Sequence, residues 1–137
     1  MKVCGLALLI ACAACGDGKT PVLSNLHYDG PAPDSPLVLL LSVDFADVDG
    51  DLSRGFMETF IDQRPTSAGS QPLLPVFLQN KIAESATTGT LHFVLELTFS
   101  DQIPASGTTF TLGARASDHA DNTSSTQEIK LRLDQGG

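Results

Sequence analysis

Apolar side chains occupy every second position of residues 91–99, from Leu91 to Phe99. An extended strand points successive side chains to opposite sides, so this period of two is typical of an antiparallel strand with one buried face and one solvated face. The same alternation returns in residues 109–117 and 128–134. No segment of useful length shows the 3.6-residue period of a helix. The pattern therefore predicts an all-β fold.

Turn-forming Gly, Pro, Asp and Ser separate the strand segments. Residues 37–41 are apolar on both faces, which predicts a central strand. Pro75 lacks a backbone donor, so residues 73–79 are predicted to form an edge strand that recruits a partner strand by main-chain pairing. About seven strands predict one two-sheet β-sandwich with Greek-key connections over residues 21–134. The remaining predicted strands are residues 21–28, 37–45 and 55–62.

The first fifteen residues differ from the rest of the chain. Lys2 precedes an apolar run, residues 3–11, that is far shorter than the roughly 20 residues of a transmembrane helix. The run ends in small residues and cysteine, a layout typical of an export signal. It resembles the lipobox of bacterial lipoproteins, in which an aliphatic residue and two small residues precede a cysteine. The resemblance implies a diacylglyceryl thioether on that cysteine, cleavage before it and N-acylation.

Two cysteines fit the lipobox in different ways. Residues 9–12 match it better by residue type, whereas residues 12–15 match better by the length of the signal and by the polar segment that follows. We predict lipidation of Cys15, with Cys12 as the alternative. Residues 1–14 are then the lipoprotein signal peptide, and residues 15–20 are the lipidated cysteine and a short tether. An ordinary secretory signal that is cut near Ala14 is a further alternative.

The predicted anchor also bears on location and stability. By the sorting rule of such lipoproteins, aspartate after the lipidated cysteine retains the protein in the inner membrane, and Gly16 stands there instead. We therefore expect a lipid-anchored protein of the cell envelope, at the outer membrane where the cell has two membranes. All three cysteines lie within the first fifteen residues, so the body is expected to fold without a disulfide.

The charge balance disfavours nucleic-acid binding. Sixteen acidic residues and eight basic residues give a net charge of −8, and the Lys and Arg residues are scattered. Phosphate binding requires clustered Lys and Arg. No catalytic residue is predicted, because none of the three histidines stands in a recognised catalytic motif. His119, beside Asp118, is the best single candidate for a ligand or base, and a solvated turn histidine is the commoner interpretation.

Two short segments, residues 44–51 and 118–122, are rich in carboxylate and amide side chains. Calcium binds six to eight such oxygens. Asp, Asn and Gly are also the ordinary residues of turns, so a calcium site and two solvated turns remain alternative interpretations. An EF-hand is excluded, because Leu52 stands where that loop requires glycine. The candidate calcium ligands are Asp44, Asp47, Asp49, Asp51, Asp118, Asp121 and Asn122.

These two segments with their flanking residues, 43–53 and 116–124, resemble the immunoglobulin-like, fibronectin-III or cadherin-type repeats of bacterial surface proteins. The resemblance implies an immunoglobulin-like topology, in which the loops after the second and the sixth main strand lie at one end of the sandwich. The two acidic segments are then expected to converge. The N-terminus lies at that end too, so the acidic end is expected to face the membrane, within about 20 Å of it.

These observations predict a membrane-anchored envelope lipoprotein that acts as a non-enzymatic binding or structural β-sandwich module, with calcium as a stabilising ion. Its predicted partners are the membrane, through the lipid anchor, and an envelope protein. The first alternative is an accessory subunit of a larger envelope assembly. The weaker alternative is an enzyme or an enzyme inhibitor. The pattern leaves the small-molecule ligand open.

Overall fold

The computed structural model describes residues 20–98, 101, 105 and 107–133. The predicted export signal, both candidate lipidated cysteines and most of the tether lie outside these described residues. Phe99 and residue 134, which end two of the predicted strands, also lie outside them.

The described chain forms two antiparallel sheets. The first sheet has the order β1-β2-β6, and the second has the order β4-β3-β7-β8, with β5 also paired to β3. The chain crosses between the sheets after β2, β5 and β6, which confirms the predicted all-β Greek-key sandwich. The strands are β1 (Val22–Ala32), β2 (Ser35–Ala46), β3 (Phe56–Ile61), β4 (Arg64–Pro65), β5 (Gln71–Pro72), β6 (Thr88–Glu96), β7 (Thr109–Ser117) and β8 (Gln127–Arg132).

The core lies between the two sheets and is formed by the inward positions of the alternating strands. On β6, Leu91, Phe93 and Leu95 are buried while the residues between them are exposed, as the period of two predicts. β2 pairs with β1 on one side and with β6 on the other, which confirms it as a central strand. Burial of each large apolar side chain contributes about 1.5–3 kcal/mol, and these side chains hold the sheets together.

The prediction of an edge strand over residues 73–79 is wrong. This segment forms helix α1 (Leu74–Gln79). A one-turn 3₁₀ helix lies earlier in the chain, at Leu52–Arg54. Pro75 lies in the first turn of α1, where no backbone donor is needed. Leu73 and Phe77 are four residues apart and both fully buried, and the Phe77 ring lies 5.2 Å from that of Phe45. The partner-strand role proposed for this segment therefore has no edge strand to support it.

β1 extends beyond its predicted end because residues 29–32 pair with β2 instead of forming a loop. Ala32 pairs with Ser35, so a tight hairpin joins the two strands. The register shifts in three places, after Ser24, after Tyr28 and after Pro31. Such bulges bend a strand and redirect the side chains of the extra residues. The second bulge places Asp29 on the outer face of the first sheet, near two histidines.

Candidate metal centre

Three aspartates meet at one end of the sandwich. Asp47 directly follows β2, Asp51 follows four residues later, and Asp118 directly follows β7. One carboxylate oxygen from each residue lies within 4.8 Å of those of the other two. We call these three residues the acidic cluster. It joins the loop after β2 to the loop after β7, so it links the first sheet to the second.

Two glycines allow the loops to approach each other. A Cβ atom at Gly55 would overlap the backbone carbonyl of Ser117, so only glycine lets the start of β3 lie against the end of β7. Gly50 has a φ of +67°, and a Cβ there would lie 2.6 Å from the carbonyl oxygen of Ser85. The local sequence therefore permits both the turn after β2 and the close contact that brings Asp118 to the cluster.

The carboxylate of Asp118 is held by its own turn. Its Oδ1 atom accepts hydrogen bonds from the backbone N–H groups of Ala120 and Asn122, both at 2.9 Å. Its Oδ2 atom accepts a third from the side-chain amide of Asn122 at 3.1 Å. These donors fix the direction of the carboxylate and offset part of its burial, since Asp118 is only 2% exposed.

Asp47 and Asp51 are less well compensated. Asp47 is 1% exposed, and its Oδ2 atom accepts a hydrogen bond of 3.0 Å from the backbone N–H of Asp51. The Oδ1 atoms of both residues are buried and have no hydrogen-bond donor among the described residues. An unpartnered buried oxygen of this kind costs about 1–3 kcal/mol or more when charged. The acidic cluster is therefore a site where a cation would remove an energetic cost.

The electrostatics of the acidic cluster agree with this geometry. Burial raises the pKa of Asp47 from 3.8 to about 6, and the adjoining carboxylates of Asp51 and Asp118 add to the effect. The backbone N–H of Asp51 opposes it only in part. A carboxyl group surrounded by like charges in a buried position holds its proton more firmly, because its charged form lacks compensation.

The other predicted calcium ligands lie elsewhere. Asp44 projects from β2 and accepts hydrogen bonds from Asn25 at 2.8 Å and Thr90 at 2.6 Å, which lower its pKa. Asp49 and Asp121 are exposed, and Asn122 serves to orient Asp118. The structure thus brings together three of the seven predicted residues.

The donor set of the acidic cluster consists of oxygen alone. Calcium prefers carboxylate and carbonyl oxygens at about 2.3–2.6 Å, so two of its ligands lie at most about 5 Å apart. The separations within the acidic cluster fall inside that limit. Zinc favours nitrogen and sulfur ligands, which the cluster does not offer. An all-oxygen donor set of this kind is the one that calcium and magnesium prefer.

The start of β1 lies beside the acidic cluster. Val22, the first residue of β1, pairs with Ala46, and Asp47 is the next residue of that partner strand. His119 follows Asp118 but is exposed, and it is not one of the residues of the cluster.

A second group of polar side chains was not predicted as a site. His27 and Asp29 on β1 lie close together on the outer face of the first sheet, with His92 of β6 beyond them. The spacing of His27 and Asp29 is visible in the sequence, because residues two apart on a strand share a face. The position of His92 depends on strand register, which a single sequence does not give.

No helix among the described residues has the length and hydropathy needed to cross a membrane. No protein-family model and no curated protein sequence matches the chain. One solved structure similar to it is that of the Clostridium perfringens spore cortex lytic enzyme SleM, with 18% sequence identity and a TM-score of 0.47. The match covers 85% of this chain and 30% of SleM. At this level of similarity it is no argument for a shared activity.

Proposed function

We propose that this protein is a calcium-stabilised, non-enzymatic β-sandwich module that a lipid on Cys15, or on Cys12 in the alternative cleavage, anchors in a bacterial cell envelope. The observation that carries the calcium part is the pair of buried, unpartnered carboxylate oxygens of Asp47 and Asp51 beside Asp118. The sequence signal of residues 1–15 carries the anchoring part.

The ion has a structural role in this proposal. The predicted mature body has no cysteine pair to link its sheets, because every cysteine lies within the first fifteen residues. A calcium ion on the acidic cluster would join the loop after β2 to the loop after β7 and offset the repulsion among three carboxylates. Calcium modules outside the cell commonly bind with dissociation constants of about 10⁻⁴–10⁻³ M. The ion would then stabilise the fold only where calcium is plentiful.

Burial of the acidic cluster favours a structural role over catalysis. Asp47 and Asp118 are 1% and 2% exposed, so a substrate has no direct access to their oxygens. A small ion can enter where an organic substrate cannot, because it needs only the space between the carboxylates. The enzyme alternative would require a different site.

The position of the acidic cluster bears on the anchored protein. β1 begins beside Asp47, since Val22 pairs with Ala46. A five-residue tether from the lipidated cysteine spans at most about 20 Å, so the acidic end would face the lipid head groups. A bound divalent cation would reduce the repulsion between this end and anionic lipids, most strongly at low ionic strength.

Calcium binding to the full chain, purified from membranes in detergent micelles, tests the proposal. We expect one bound calcium for each chain by isothermal titration calorimetry, and loss of that binding in Asp47→Asn. Asp49→Asn is the matched control, because Asp49 lies in the same loop but is exposed. Wild-type protein that binds no calcium at millimolar concentration, or equal losses in both variants, would overturn the calcium site.

Mass spectrometry of the mature N-terminus from native envelopes tests the anchor separately. The proposal predicts an acylated cysteine at position 15, or at position 12 for the alternative. An unmodified chain that still begins at Met1 would contradict the anchoring part and leave the calcium part standing.

A further inference from the structure

We propose a second metal site, for a first-row transition ion such as Zn²⁺, on the outer face of the β1-β2-β6 sheet. Its ligands are His27, Asp29 and His92, which we call the histidine cluster. It shares no residue with the acidic cluster, so it stands or falls independently of the proposed function.

Strand register brings the two histidines to one row of the sheet. Ser42 on the central strand pairs with His27 of β1 on one side and with His92 of β6 on the other. Residues that are directly opposite on neighbouring strands share a face, so both imidazoles stand on the solvent side with Ser42 between them. Their side chains are 70% and 68% exposed and therefore free to turn toward a common ion.

The bulge in β1 supplies the third ligand. The pairing passes from Tyr28 with Leu41 directly to Gly30 with Leu40, so Asp29 is the extra residue. Its carboxylate lies between the histidines, with Oδ1 3.4 Å from Nε2 of His27 and Oδ2 4.0 Å from Nδ1 of His92. Bulges commonly redirect a side chain in this manner.

Both contacts of Asp29 are too long for hydrogen bonds, and the exposed imidazoles would have to turn toward each other to share an ion, because the ligand atoms of the three side chains do not all lie within 4.8 Å of one another. Protein N–H···O hydrogen bonds span about 2.7–3.2 Å, and both contacts of Asp29 are longer. Zinc binds imidazole nitrogen and carboxylate oxygen at about 2.0–2.2 Å in a tetrahedron, which places neighbouring ligand atoms about 3.3 Å apart. The contact to His27 already has about that length, whereas the imidazole of His92 would have to rotate toward the ion, which its exposure allows.

The backbone beneath His92 is held in place. The side-chain oxygen of Asn80 accepts the N–H of His92 at 3.0 Å, and its amide donates to the carbonyl oxygen of His92 at 2.9 Å. The same amide donates to the carbonyl oxygen of Val76 in α1 at 2.7 Å. The edge of β6 is thereby fixed to α1, so ion binding would order side chains alone.

The donor set selects the class of ion. Two imidazole nitrogens and one carboxylate oxygen suit zinc, copper and nickel, whereas calcium and magnesium favour oxygen ligands. Three protein ligands leave a fourth position of the tetrahedron for water or for a group from another molecule. The acidic cluster and the histidine cluster would therefore take different ions from the same solution.

Zinc titration of the full chain in detergent micelles tests this site. Calcium is present at about 5 mM to occupy the acidic cluster. We expect one equivalent of zinc whose binding weakens at least about tenfold in His27→Ala and in His92→Ala. The matched control is His119→Ala, because His119 is the third histidine and is exposed in a turn away from the cluster. Its affinity for zinc should equal that of the wild type.

Three results would overturn the site: no zinc bound by the wild type, unchanged affinity in both His27→Ala and His92→Ala, or an equal loss in His119→Ala. A zinc isotherm that disappears when calcium is added would place the zinc on the acidic cluster and would also overturn it. Thermal unfolding of each variant verifies that it remains folded, as expected for exposed side chains. A wild-type protein that binds zinc but no calcium would contradict only the proposed function.

Discussion

The acidic cluster and the histidine cluster differ above all in burial. The aspartates of the first lie at the junction of two sheets, with Asp47 and Asp118 almost fully buried. The side chains of the second stand on the open face of one sheet. Burial turns unpaired charge into a cost for the folded state, whereas water compensates the exposed group. Removing ligands should therefore change the stability of the ion-free protein at the first cluster and leave it almost unchanged at the second.

The largest effect is expected at Gly55. Replacing it in Gly55→Ala would force the added Cβ into the backbone of Ser117 and separate the loops that form the acidic cluster. We expect a loss of about 3 kcal/mol or more in the free energy of unfolding, measured by chemical denaturation. Gly69→Ala is the control, because Gly69 has open space around its Cβ position and its φ of +65°, unlike the −102° of Gly55, adds only backbone strain. It should lose about 1–2 kcal/mol, and an equal loss in both variants would contradict the close contact at Gly55.

Neutralising the acidic cluster should stabilise the calcium-free protein. In Asp47→Asn the introduced amide removes one buried charge and offers a donor to the unpartnered oxygen of Asp51. We expect the free energy of unfolding in chelator to rise by about 1–2 kcal/mol, while Asp49→Asn changes it by less than about 0.5 kcal/mol. A fall in stability on Asp47→Asn would show that the buried charge is already compensated.

A pH series in chelator should show the same cost. The pKa of Asp47 is about 6 in the folded protein and 3.8 ordinarily, so the folded state binds the proton more firmly. The stability contributed by that proton is lost as pH rises from about 4 through 6. We expect a lower melting midpoint at pH 7.5 than at pH 5, by a few degrees, and a smaller difference in Asp47→Asn. An equal difference in the variant would assign the effect to other groups.

The pH series begins at pH 5 because other carboxylates change the stability in the opposite direction at lower pH. Burial alone would raise the pKa of Asp101, but hydrogen bonds from Thr98 and Ser67 outweigh it and lower that pKa. Its stabilising contribution is present above its ordinary pKa and is lost only in stronger acid. It therefore does not mask the change at Asp47.

The smallest effect is expected at the histidine cluster. His27→Ala should change the free energy of unfolding of the metal-free protein by less than about 0.5 kcal/mol, because the side chain is 70% exposed. Chemical denaturation in chelator measures it beside Asp47→Asn. A loss above about 1 kcal/mol would mean that His27 already contributes to packing. The contrast in stability between the two clusters would then fail.

Most of the fold follows from the sequence because alternation of apolar side chains is a local property. Leu91, Phe93 and Leu95 needed no tertiary information to be assigned to a buried face. The strand prediction for residues 73–79 is wrong because a short apolar run fits a strand and a buried helix equally well. The spacing of Leu73 and Phe77, four residues apart, is the local signal for the helix, and Pro75 is compatible with the first turn of a helix as well as with an edge strand.

The candidate sites depended more on tertiary structure. Convergence of Asp47, Asp51 and Asp118 followed from the expected topology, and the structure places these three together. The sequence alone could have excluded Asp44 from the acidic cluster, because Asp44 alternates with Val43 and Phe45, which face the core. The spacing of His27 and Asp29 is visible in the sequence, but the position of His92 beside them requires the register of three strands, which no local pattern encodes.

Thermal unfolding of the wild-type full chain with calcium and with chelator tests the central claim most directly. At a calcium concentration of about one hundred dissociation constants, binding stabilises the folded state by about 2.7 kcal/mol. For a domain of this size we expect the melting midpoint to rise by about 10 °C in calcium. Identical midpoints in chelator and at that calcium concentration, about 10–100 mM for dissociation constants of about 10⁻⁴–10⁻³ M, would contradict a calcium-stabilised sandwich.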